Sequence, residues 1–267
     1  MHRDLNFSNL VMNHLQFNIL SLGYSDLDSH WNFKGTCDYF NRLYIVLDGE
    51  GMVENEYETI WLQKGYAYLL PEFTPYDLSC DYYLKKIWIG FNMQLIPGQD
   101  ICHALDKCLF KQFDFEKLEL LGQRITSKKV NDLIWCHGTL FEMISELLFE
   151  EELLTEDKMK LIIKYRDVYE YITTNNRFDL TLTEISDNTN ISVDKLTKEF
   201  KRDMGLTLKE YIKQQLLQNI VKDLLLTDQT VGAIAEQYAF KDQFYFSRFF
   251  KRQLGVSPMK YRNRYKD

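Results

Sequence analysis

Gln243, Phe244, Ser247, Arg248 and Lys251 are spaced so that they fall together on one face of a helix, opposite Phe246, Phe250 and Leu254 at i, i+4 and i+8. Arginine matches the paired acceptors of guanine, and glutamine matches the donor and acceptor of adenine, when the N-terminal part of a helix enters a major groove. Asp194, Thr197, Lys198 and Lys201 form a similar face upstream, opposite Leu196, Phe200 and Met204. Base-edge contacts are therefore assigned to Asp194, Thr197, Lys198, Gln243, Phe244, Ser247 and Arg248. Ser192, Lys201, Arg202, Lys251 and Arg252 are assigned to phosphates, which give affinity without sequence information. A solvated helical surface would account for any one of these lysines. It accounts poorly for Arg248, because the helix that carries it is duplicated.

The duplication is explicit. Phe200-Lys201-Arg202 with Gly205 and Tyr211 recurs fifty positions later as Phe250-Lys251-Arg252 with Gly255 and Tyr261. Leu182, Ile185 and Ile191 match Val231, Ile234 and Phe240 at an offset of 49, so one residue is extra in the second turn. A fixed period means one supersecondary unit used twice. Each unit reads as a short helix (182–189, 231–238), a tight turn, and a second helix (193–204, 242–254) stopped by glycine, which is the helix-turn-helix plan. Residues 208–226 are periodic through Leu208, Tyr211, Ile212, Leu216, Ile220 and Leu224 and predict a connecting helix. Its length of roughly 28 Å approaches the ~34 Å between successive major grooves on one DNA face. One subunit would then read two grooves and bend the duplex between them.

Charge divides the 267 residues in the same way. Residues 1–159 carry 13 Lys and Arg against 25 Asp and Glu, whereas residues 160–267 carry 19 against 14. A net charge of −7 thus hides a basic second half, the expected electrostatic footprint of a nucleic-acid reader. Five cysteines without a CxxC pair support neither a disulfide framework nor a zinc cluster and point to a reducing compartment. No basic leader with an apolar run opens the sequence, and no stretch reaches the ~18 apolar residues of a membrane helix. The expectation is a soluble cytoplasmic protein without membrane contact.

The first half reads as short strands with glycine or proline punctuation: 43–47 ending at Asp48-Gly49-Glu50-Gly51, 59–62 ending at Gln63-Lys64-Gly65, 66–70 ending at Pro71, and 86–91. Residues 130–154 predict an amphipathic helix with an acidic tail at Glu150-Glu151-Glu152. Its apolar stripe needs cover from its own β domain or from a partner subunit's matching helix.

Residues 231–262, through Phe240, Phe246, Arg248, Phe250, Lys251, Gly255, Pro258 and Tyr261, resemble the signature of AraC/XylS-type regulators, with Ala239 where that family usually has glycine. Residues 42–51, 62–71 and 86–91 resemble the family's cupin-like sensory barrel. The resemblance implies an α+β chain of two domains, an N-terminal cupin-like antiparallel β barrel with flanking helices and a C-terminal all-α tandem helix-turn-helix domain. The boundaries expected are 1–105 for the barrel, 106–157 for a helical linker or dimerisation segment, and 158–267 for DNA binding. It also implies double-stranded DNA, a small-molecule effector such as a carbohydrate, a second copy of the chain and RNA polymerase as partners. Tyr24, His30, Tyr76, Lys86 and Trp88 would face the effector; Trp88 would stack on a sugar ring, and Lys86 would suit an anionic group. None of the five histidines forms the HxH pair of metal-dependent cupins, and Tyr76 stands after Pro75 where relatives often carry histidine. No metal, cofactor or catalytic site is expected. The competing reading is a ligand-blind regulator whose barrel only dimerises or docks a partner.

Overall fold

A computed structural model of the chain describes residues 11–13, 15–96, 99–151, 153 and 155–266. They fall into two compact units: Phe17–Asn92 with Cys102–Leu153, and Leu154–Asp267 with Met93–Ile101 and the described residues up to Gln16.

The strands are β1 (Gln16–Leu27), β2 (Asn32–Thr36), β3 (Asn41–Glu54), β4 (Thr59–Gln63), β5 (Tyr66–Leu70), β6 (Tyr76–Ser79), β7 (Leu84–Ile96), β8 (Gln99–Asp100) and β9 (Leu109–Gln112). One layer runs β1-β7-β3-β5-β9; β2, β6 and β4 gather on the far half of β3 as a second layer. Alternation decides which side chains are enclosed, as in β4, where Ile60 and Leu62 are buried and Thr59, Trp61 and Gln63 exposed. The interior cluster draws Tyr44, Val46, Tyr68 and Leu70 from the first layer and Val53, Leu62, Tyr76 and Leu78 from the second.

Strand β3 corrects the expectation that it ends at residue 47. Its register shifts between Val46 and Asp48 opposite β7, and it continues to Glu54. Gly49 has φ 72, and a Cβ there would sit 2.2 Å from the Tyr83 carbonyl oxygen. The glycine marks a bulge that bends the strand and carries it from one layer into the other. Helices α1 (Phe115–Ile125) and α2 (Val130–Leu148) pack together, α1 against β3 and α2 against β9. The expected helix over 130–154 thus stops at Leu148, because carboxylates at Glu150 and Glu151 oppose the negative end of the helix dipole. Glu152 and Leu154 lie outside the described residues. Its own domain buries Leu140, Met143, Ile144 and Leu147, while Val130, Ile134 and Phe141 remain an exposed apolar ridge.

The other unit holds α3 (Glu156–Lys164), α4 (Arg166–Thr174), α5 (Leu182–Thr189), α6 (Val193–Met204), α7 (Leu208–Leu226), α8 (Val231–Gln237), α9 (Gln243–Leu254) and α10 (Pro258–Lys266). Capping fixes their ends. Thr181 and Thr207 form capping boxes with Glu184 and Glu210, and Ser192, Thr230 and Asp242 cap α6, α8 and α9. Gly205 and Gly255 close α6 and α9 at the same φ of 77.

The turns match as well: Asn190 and Ala239, 49 positions apart, both have φ 56. Asparagine tolerates that conformation, whereas alanine is strained by about 1–2 kcal/mol. Ala239→Gly is therefore expected to raise stability by about 0.5–1 kcal/mol, because relief of the strain exceeds the ~0.5–1 kcal/mol that glycine's freedom gives the unfolded chain. A lower urea midpoint for the glycine variant would contradict this account of the turn.

Each repeat has its own core. Tyr165, Val168, Tyr169 and Ile172 of the α3–α4 region surround Ile185, Leu196 and Phe200, and Leu95 joins them from the end of β7. Phe240, Phe246, Phe250 and Tyr261 form the second aromatic chain. Helix α7 lies between, buried on several faces and packed on α6 on one side and on α8 and α10 on the other. A second link comes from the α4–α5 loop. The ring of Phe178 stacks on Phe240 at 4.5 Å and meets Phe249 at 5.4 Å, and its N–H donates to the Tyr238 carbonyl oxygen at 2.9 Å.

Candidate nucleic-acid interface

The two second helices present their charged faces differently. On α6 the Ser192 hydroxyl accepts from the Lys195 N–H, and the Thr197 hydroxyl donates to the Val193 carbonyl. Lys198 pairs with Asp194 at 2.8 Å, both exposed, and this hydrogen bond raises the lysine's pKa. Arg202 lies against Asp203 at 3.0 Å. Lys201 is exposed. Four of the five cationic and anionic groups expected to touch DNA or flank it here are thus engaged with each other.

Asp203 is held further by Lys164 at 2.6 Å and by the Tyr165 hydroxyl, which donates at 2.9 Å. The Lys164 ammonium is the main reason its carboxyl titrates at about 2. A depressed carboxylate stabilises the fold above its ordinary pKa of 3.8, and that contribution is lost as pH falls through about 2. This triad fastens α6 to the end of α3.

On α9 the cations are open. Arg248 and Lys251 are exposed and make no ion pair among the described residues. Gln253 stands where the first repeat has Asp203, and Arg252 lies 6.0 Å from the Phe249 ring. Gln243 crosses Gly232 of α8, whose added Cβ would come within 3.0 Å of the amide oxygen. Ser247 is half-buried, and Phe244 is 79% exposed. All the side chains assigned to DNA from the sequence lie on α6, α9 or the cap of α6, away from the buried Leu196, Phe200, Phe246 and Phe250. Phe178, which fastens the loop before α5 to the second repeat, has no counterpart in that reading, because it stands in a non-periodic loop.

Of the five residues assigned to an effector, the structure brings three together in the barrel. Lys86 is 3% exposed, its Nζ 3.3 Å from the Tyr44 ring centroid and 3.9 Å from that of Trp31. Trp88 stands on the same face of β7 and donates from Nε1 to the Ser25 hydroxyl at 3.0 Å. Gly23 makes that placement feasible, since a Cβ there would meet the indole at 2.5 Å. Tyr76 is fully buried and donates to Glu58 Oε1 at 2.6 Å; burial, followed by this bond, pushes its phenol well up. The same oxygen accepts from the Cys108 N–H.

Tyr24 and His30 lie elsewhere. Tyr24 lines an open groove of about 490 Å³ with Asp48, Lys64, Lys85, Phe115 and Glu119. His30 is on an exposed turn, its Nδ1 2.9 Å from Asp28 Oδ1. The physical reason is register: Tyr24 is on the outward side of β1, and His30 sits between β1 and β2 where no strand directs it inward. Glu58 is missed by the sequence reading because it precedes β4 in a polar turn. Among the described residues no group of three His, Cys, Asp or Glu side chains is arranged to hold a metal ion, and no helix is long and apolar enough to cross a membrane.

A duplicated helix-turn-helix with basic second helices, joined to a cupin-like barrel, defines a DNA-binding transcription regulator. Residues 185–264 match a family model described as a helix-turn-helix domain. The chain is 25% identical over 272 residues to the Msm operon regulatory protein of Streptococcus mutans, covering 96% of each. It is 25% identical over 240 residues to the lactose operon transcription activator of Staphylococcus xylosus, covering 84% of each. Its fold is that of apo ToxT from Vibrio cholerae strain SCE256, with a TM-score of 0.59 and 13% identity over 94% of this chain and 98% of that one. The chain belongs to the AraC-type transcription regulators.

Proposed function

We propose that this regulator reads two neighbouring major grooves with α6 and α9, and that a carbohydrate held in the barrel sets its activity. Residues 158–267 form the DNA-reading domain, residues 1–105 the effector barrel, and residues 106–157 the segment between them. The observation that carries the DNA reading is the open ridge of α9, where Arg248 and Lys251 are exposed without an ion pair among the described residues. Cations held ready in this way release DNA counterions on binding. The effector reading rests on the interior group of Lys86, Trp88, Trp31, Tyr44 and Tyr76, an aromatic wall with a few polar groups. The names of the relatives, a lactose operon activator among them, favour a sugar. The protein acts in the cytoplasm, without enzymatic chemistry, cofactor or metal. The exposed ridge of Val130, Ile134 and Phe141 favours a homodimer.

Thermal melts of the full chain against a panel of mono- and oligosaccharides test the effector. A sugar that binds only the folded state at a hundredfold its Kd stabilises it by about 2.7 kcal/mol. A rise in Tm with one sugar, lost in Lys86→Met, is the expected result. Silence across the panel favours the second reading, a ligand-blind platform, which the burial of Tyr76 and Lys86 already supports.

A further inference from the structure

We infer that Phe244 reads the 5-methyl group of a thymine, so that the second repeat distinguishes thymine from other bases by apolar contact. This rests on the DNA reading above. Phe246, Phe249 and Phe250 of the same helix are buried, whereas Phe244 is 79% exposed and has no ring partner among the described residues. It follows the Asp242 cap by two positions, on the N-terminal turn that reaches base edges. With Arg248 and Lys251 it forms one stripe at i, i+4 and i+7. A phenyl ring among Lys241, Gln243 and Arg248 gains nothing from water. In the major groove it meets one apolar feature, the thymine methyl.

The position follows from helix geometry. Phe244 lies one turn before Arg248, about 6 Å along the axis, which is about two base-pair steps. The thymine is therefore placed within about two base pairs of the base that Arg248 contacts. The matching position of the first repeat is Asp194, a carboxylate paired with Lys198. Sensitivity to a methyl group is thus confined to one half of the site.

The experiment uses the full chain and duplexes selected by it from a random library, with each thymine replaced in turn by deoxyuridine, which removes only the methyl. One thymine in the α9 half should show about a fourfold loss of affinity, the worth of one buried methyl. In Phe244→Ala that ratio should fall to one. Deoxyuridine in the other half should change nothing. Equal binding of thymine and deoxyuridine throughout the α9 half, or an unchanged ratio in the alanine variant, overturns the inference and leaves the DNA reading intact. Selection of no sequence at all overturns both. The wild-type measurement needs no variant, so a folding defect in Phe244→Ala does not decide the outcome.

Discussion

Phe200→Ala should destabilise the helical unit by about 3–5 kcal/mol, the range for deleting a buried phenyl ring. The ring has no exposed surface and sits 5.0 Å from Tyr165, 5.8 Å from Tyr211 and 6.2 Å from Tyr169. Those neighbours are poorly free to close the gap, because the Tyr165 hydroxyl is bonded to Asp203 and Tyr211 is buried under α7. Against a total stability of about 5–15 kcal/mol, such a loss would leave the first repeat partly unfolded at room temperature. Urea denaturation followed by circular dichroism measures it. A change below about 1 kcal/mol would mean that the three tyrosines collapse onto the space and that the ring is not what holds α4, α6 and α7 together.

Arg248→Ala should remove about 1–3 kcal/mol of discrimination at one base-pair position and leave preference elsewhere unchanged. The side chain is exposed on α9 with no intramolecular partner to give up, so its whole donor set is available to a base. Lys251→Ala provides the contrast: it should weaken binding to all sequences alike and reduce the slope of affinity against salt by about one. Library selection with both variants separates the two behaviours. If Arg248→Ala keeps the wild-type preference at every position, the ridge of α9 does not face the bases.

The helical half was legible nearly to the residue, because each boundary carries its own chemistry. Thr181, Ser192, Thr207 and Asp242 supply caps at the starts, and Gly205 and Gly255 supply left-handed stops. The β half was less so. Gly49 reads as the end of a strand in sequence, but only the Tyr83 carbonyl across the sheet makes it a bend. Tyr24 and His30 show the same limit, since resemblance transfers a segment but not the side of the strand that each residue occupies. The pairing of Lys198 with Asp194 was visible as an i, i+4 spacing, whereas the hold of Lys164 on Asp203 joins positions 39 apart and no local pattern announces it.

The rod α7 and the Phe178 seam together make the two reading helices parts of one stiff body. A stiff body tolerates spelling changes in its target far better than spacing changes. One inserted base pair would swing the far groove by about a tenth of a turn as well as moving it along the axis. Targets of this protein should therefore drift by substitution while keeping their phase, and a search of a genome for them should allow mismatches but no gap.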